Sequence, residues 1–106
     1  MITVTDLSQA IQALSSANDK ETLLVTPISA SSYLGISYFL SLCRKVSEAC
    51  PTCPHKFFLD CGNNAGEALS AIRSGVKYVI FTGNQKAFAR LSSIAAKMDC
   101  DLRQSR

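Results

Sequence analysis

Cys50-Pro51-Thr52-Cys53-Pro54-His55 is the densest cluster of reactive side chains in this 106-residue chain and holds its only imidazole. The two thiols and His55 supply three of the four ligands of a tetrahedral zinc, with Cys43 or Cys61 available as the fourth. The same spacing is that of a redox dithiol. Position argues against both. A redox pair of the thioredoxin type needs a helix N-terminus to lower its thiol pKa, whereas this pair follows a helical pattern and precedes a strand pattern. A zinc ribbon or finger presents a second ligand pair at comparable spacing, and the sequence has none. The segment therefore reads as a structural connector, with no metal or cofactor expected.

Asp60 and Cys61 form a second candidate. Cys61 closes an apolar run just before Gly62 and a helix start, where thiolates are stabilised. It lacks a base: His55 lies six residues upstream on nearly the same strand, about 20 Å away at ~3.3 Å per residue. A small buried hydrophobe is the commoner fate of such a cysteine. Asp60 is suited to hold a metal, a sugar hydroxyl or a proton in transfer, or simply to accept amides of the following turn.

Three loops carry small polar residues where helices begin: Ser29-Ala30-Ser31-Ser32, Gly62-Asn63-Asn64-Ala65-Gly66 and Thr82-Gly83-Asn84-Gln85. Helix N-termini attract anions, although neither a P-loop nor GxGxxG is present. In a parallel sheet all three loops emerge at one edge, where open α/β sheets bind ligands. The expected site is therefore bounded by Ser31, Ser32, Asp60, Gly62, Asn63, Gly83 and Asn84.

The elements that must position these loops follow from hydrophobic periodicity. Ile2 to Val4 suggests a brief opening strand. A helix capped by Thr5 or Asp6 carries Leu7, Ala10, Ile11, Leu14 and Ala17 on one face, and Asn18-Asp19 break it. Thr22–Thr26, Phe57–Cys61 and Tyr78–Phe81 read as strands. A long helix capped by Ser31 or Ser32 runs to about Ala49, with Ile36, Phe39, Leu42, Cys43 and Val46 on one stripe and Leu34 and Tyr38 off it. A helix carrying Ala65, Ala68, Leu69 and Ile72 stops at Gly75. A last one presents Phe88, Leu91, Ile94, Ala95 and Met98, and Cys100–Leu102 suggests a final short strand. Continuous apolar strands imply that both sheet faces are covered. The expectation is an α/β domain over residues 1–102, with three or four mostly parallel strands alternating with helices, and a loose tail from Arg103 to Arg106.

Composition agrees: 47% hydrophobic and 18% charged residues are a globular balance. Two of the three units of net positive charge come from Arg103 and Arg106. The nearly neutral body argues against nucleic acid as a partner. Thr22–Cys43 is a run of 22 uncharged residues, but five serines, two threonines, Pro27 and Gly35 interrupt it, so no membrane span is expected. The start MITVTDLSQA has no signal-peptide pattern, and an odd number of cysteines, five, fits reduced thiols in a cytoplasm.

Ser32-Tyr33-Leu34-Gly35, Leu59-Asp60-Cys61-Gly62 and Ala68-Leu69-Ser70-Ala71-Ile72-Arg73-Ser74-Gly75 together resemble a family of small uncharacterised bacterial α/β proteins with a Leu-Asp-Cys-Gly motif. The resemblance covers about Leu7 to Leu102 and implies a fold-sized unit without a reaction. Asn63 stands where that pattern carries an acid. A weaker likeness, through Phe58-Leu59-Asp60 and Gly75-Val76-Lys77-Tyr78-Val79-Ile80-Phe81-Thr82-Gly83-Asn84, is to the STAS domain. Asn63 and Asn64 replace the Ser or Thr of its phosphorylation switch.

Three functions follow as expectations. The first is binding of a small polar or anionic metabolite at the strand C-terminal edge. The second is a STAS-like protein-interaction module without a small ligand. The third, least supported, is an enzyme using Asp60 or Cys61. Exposed sheet edges and the Leu34/Tyr38 pair also lead us to expect a homodimer.

Overall fold

The computed structural model describes residues 1–17 and 20–105. Five strands and four α-helices alternate along them. They run β1 (Ile2–Thr3), α1 (Leu7–Ser15), β2 (Thr22–Val25), α2 (Ile36–Ala49), β3 (His55–Asp60), α3 (Ala65–Arg73), β4 (Tyr78–Ile80), α4 (Gln85–Lys97) and β5 (Asp101–Arg103). All neighbouring strands pair in parallel, in the spatial order β1-β2-β3-β4-β5. The α/β class and the parallel sheet are as expected, and both provisional end strands form, giving five rather than three or four. Among the described residues no helix is long and apolar enough to cross a membrane.

Local sequence explains most boundaries. Asp6, one of the two expected caps, accepts the Gln9 amide at 2.8 Å. Gly75, with φ +97°, follows the Ser74 cap of α3 in the left-handed conformation that stops a helix. The expected break at Asn18-Asp19 lies outside the described residues, and α1 already ends at Ser15.

Two expectations are corrected. Ser31 and Ser32 do not cap the long helix: they belong to a 3-10 turn, Ala30–Ser32, and α2 begins at Ile36 behind Gly35. The tail begins one residue later than expected, because Arg103 completes β5 by accepting the Phe81 amide at 2.9 Å; Arg106 lies outside the described residues. Both sheet faces are covered, as expected, but helices cover only one of them. Each crossover moves to the adjacent strand, and right-handed crossovers in one direction put every helix on the same side. Ala10 and Leu14 of α1, Phe39, Leu42 and Val46 of α2, Ile72 of α3 and Leu91 of α4 share one core with Leu24, Phe57, Leu59 and Val79.

On the other face Val25, Phe58 and Ile80 form a separate cluster, each 0% exposed, built from strands alone. Tyr78 packs against Phe58 with ring centroids 5.2 Å apart. The Arg103 guanidinium lies 4.7 Å from the Phe58 centroid and is paired with Asp101 at 3.2 Å. Long side chains laid across the sheet thus bury this cluster without a helix. Continuous apolar strands thus meet helices on one face and long side chains on the other.

Candidate functional site

Asp60 ends β3 on the helix-free face, opposite Ile80 of β4. It is 2% exposed. Its Oδ1 accepts the Gly62 amide at 2.8 Å and the Ser29 amide at 3.1 Å, and its own amide donates to Thr26 Oγ1 at 3.0 Å. Ser29 meets the carboxylate by adopting φ +58°, unusual for a non-glycine residue. Gly62 has φ +55°, and a Cβ there would stand 2.2 Å from Ser29 Oγ. The Gly62 carbonyl accepts the Thr82 amide at 2.7 Å. The ends of β2, β3 and β4 are therefore tied through Asp60 and Gly62.

The other expected site residues divide around this knot. Ser31 Oγ donates to Glu67 Oε2 at 3.1 Å, and Ser32 Oγ donates to the Ser29 carbonyl at 2.8 Å. Asn63 is exposed; the residue that caps α3 is its neighbour Asn64, whose Oδ1 accepts the Glu67 amide at 3.0 Å. Asn84 caps α4 by accepting the Ala87 amide at 2.8 Å. A Cβ on Gly83 would press on the Phe81 ring tip at 2.2 Å. The sheet order contains no reversal of direction, so the crevice that such a reversal opens does not arise.

Cys61 is 1% exposed. Burial pushes its thiol up to about 11; the hydrogen bond with Ser31 opposes this, while the charges of Glu67 and Asp60 add to it. A thiol so protonated and enclosed is a core residue with little nucleophilic character. His55 stands at the opposite end of β3, and its Nδ1 donates to the Cys53 carbonyl at 2.8 Å. Among the described residues no three His, Cys, Asp or Glu side chains are grouped to hold a metal ion.

An open groove of about 450 Å³ lies beside this edge, between α3 and α4. Leu69, Leu91 and Ile94 give it an apolar lining, and Asn84, Lys86 and Arg90 line it as well. Ala65 and Gly66, the first two residues of α3, also line it. Lys86 and Arg90 stand four residues apart on α4, an arrangement that repels. Neither is in an ion pair among the described residues, where the pairs are Lys56–Glu21 and Arg103–Asp101. Of the expected site residues, Asn84 belongs to this groove. Sequence reasoning missed Lys86 and Arg90, although two like charges four apart were the available signal. Comparison with family models, curated proteins and solved structures finds no match for this chain.

Proposed function

We propose that this chain is a binding module for a small anion that carries an apolar group, a carboxylate or phosphate on an aliphatic or aromatic body, held between α3 and α4. The observation that carries this reading is the pair Lys86 and Arg90, in no ion pair among the described residues and lining a groove with an apolar wall. Exposed cations beside two helix N-termini favour an anion at low ionic strength, while Leu69, Leu91 and Ile94 reward an apolar body. The strand ends themselves are a poorer seat. Asp60 occupies the amides that would face an anion there, and Glu67 adds a second carboxylate nearby.

Thermal shift at low ionic strength tests it, with octanoate and phenyl phosphate as probes and octanol and inorganic phosphate as controls. Stabilisation by the first two that exceeds both controls and is lost in the Lys86→Gln/Arg90→Gln double variant is the expected result. No shift, or a shift untouched by the double variant, overturns the reading.

A second reading, homodimer formation, is favoured by one observation. Ile28 is 73% exposed, Tyr33 65% and Tyr38 53%, all on or just after the β2–α2 connection. Apolar side chains exposed in one short segment are suited to meet the same segment of a second copy across a two-fold axis. Light scattering at micromolar concentration checks this. A mass of about twice 11.4 kDa, reduced to the monomer by Tyr33→Ser/Tyr38→Ser, is expected; a wild-type monomer refutes it.

A further inference from the structure

The connector between α2 and β3 has a property that its position in the sequence concealed. Cys50 caps the C-terminus of α2, and the Cys53 amide donates to the Cys50 carbonyl at 3.2 Å. That bond closes a four-residue turn with Pro51 at its second position, where proline's fixed φ favours turn formation. Such a turn holds its end Cα atoms within about 7 Å, and a disulfide needs roughly 4.4–6.8 Å. The Cys53 side chain is also close enough to Cys50 to push its thiol up, after the larger effect of burial. Two cysteines at the ends of a proline-stiffened turn need little backbone rearrangement to bond.

We propose that Cys50 and Cys53 form a thiol–disulfide exchange site that accepts a low-molecular-weight disulfide and ends as an intramolecular Cys50–Cys53 disulfide. The chemistry divides between the two residues. Cys53 is half-buried and Cys50 is 9% exposed, so an incoming disulfide meets Cys53 first. The Cys53 sulfur, losing its proton, attacks one sulfur of the disulfide and releases one thiol, which carries that proton away. Cys50 then attacks the Cys53 sulfur of the mixed disulfide and releases the second thiol with the Cys50 proton. One S–S bond is broken and one formed overall; the two cysteines are oxidised and the small disulfide is reduced to two thiols.

A thiol at a helix C-terminus gains nothing from the helix dipole, and burial together with Cys53 pushes the Cys50 thiol up. Closure by Cys50 is therefore slow and favoured by mildly alkaline pH, which distinguishes this pair from a fast oxidoreductase. The other three cysteines offer no comparable partner. Cys43 lies in α2 seven residues before Cys50, about 10 Å along the helix at ~1.5 Å per residue. Cys61 is enclosed at the far end of β3, and Cys100 precedes β5 across the sheet.

The test is incubation of the whole protein with excess oxidised glutathione at pH 8, followed by alkylation and mass spectrometry of the intact chain and its peptides. The expected product has lost two hydrogens, carries no glutathione, and has its link within residues 50–53. Cys50→Ala should instead retain one glutathione on Cys53. Cys53→Ser, at the more exposed position, should leave Cys50 free. A wild-type protein that accumulates a persistent glutathione adduct on Cys53, links other cysteines, or stays reduced at this pair while the unfolded chain reacts overturns the proposal.

Discussion

The loops that leave β3 and β4 invite a position-by-position comparison, because Asp60 and Ile80 are register partners and the caps Asn64 and Asn84 follow each by the same distance. Asp60 corresponds to Ile80, Cys61 to Phe81, Gly62 to Thr82 and Asn63 to Gly83. Both loops hold one glycine and end on an asparagine cap, yet their interiors differ. In the first, a buried carboxylate collects two amides and Gly62 turns with φ +55°. In the second, an apolar pair enters the two core clusters and Gly83 leaves room for the Phe81 ring. Similar loop composition thus serves two kinds of glycine, one needed for its backbone and one for its missing side chain.

The carboxylate is the sharpest difference, so its removal should have the largest effect. Asp60→Ala leaves the Gly62 and Ser29 amides without their acceptor. Orphaned buried donors cost on the order of 1–3 kcal/mol each, which places the loss at about 3 kcal/mol. Asp60→Asn retains an acceptor oxygen and should lose about half as much. Urea unfolding measures both. If Asp60→Ala stays within roughly 0.5 kcal/mol of wild type, the knot does not hold the three strand ends together.

Gly83→Ala comes next, at about 2 kcal/mol, by overpacking. The new Cβ would stand 2.2 Å from the tip of Phe81, whose ring is fully buried and has little freedom to retreat. Phe81→Leu shortens that side chain, so the double variant should recover part of the loss, and a double-mutant cycle reads the coupling directly. Additive effects would show that the ring tip is not what Gly83 accommodates.

These two positions also show what could be read in advance. Phe57–Cys61, Tyr78–Phe81 and the stripe Leu91-Ile94-Ala95 were legible because burial repeats at a local period. The reach of Asp60 to the Ser29 amide was not, since it joins positions 31 residues apart and depends on a left-handed serine. That bond holds Ser29 ahead of the 3-10 turn, so neither Ser31 nor Ser32 becomes the cap that local sequence suggested. Of Asn63 and Asn64, either suits a cap; only the path out of Gly62 selects Asn64. The α3–α4 groove was hidden for a similar reason. Lys86 and Arg90 read as a solvated face until α3 brings Leu69 beside them.

Cys61 and Phe81 occupy matching places in the helix-side core, and only the cysteine titrates. The Cys61 thiol rises from 9.0 to about 11, chiefly by burial. The folded chain therefore holds this proton more tightly than the unfolded chain does. Its contribution is complete below about pH 9 and disappears as pH climbs through about 11. The loss should be roughly 2–3 kcal/mol in full for this group, about 2 of it by pH 11. Cys43, pushed up to about 12, and Cys100, pushed up to about 11, act in the same direction. Unfolding free energies of wild type and Cys61→Val between pH 8 and 11 isolate the effect. Parallel declines would mean that Cys61 is not enclosed as Phe81 is.

The smallest effects concern the caps, where the two loops should behave alike. Asn64 Oδ1 and Asn84 Oδ1 each accept an amide three residues ahead, at 3.0 and 2.8 Å. Loss of such a bond to alanine typically costs about 1 kcal/mol, so Asn64→Ala and Asn84→Ala should fall close together. Asn63→Ala should change stability by less than roughly 0.5 kcal/mol, as expected for an exposed residue without a capping bond. The two caps differ in what else they touch. Asn84 lines the groove between α3 and α4, while Asn64 is not among its lining residues. Octanoate titrations monitored by thermal shift should therefore weaken in Asn84→Ala and remain unchanged in Asn64→Ala, once each is compared with its own ligand-free melting temperature. Equal weakening in both would mean that helix stability controls binding, and the contrast between the loops would be one of packing only.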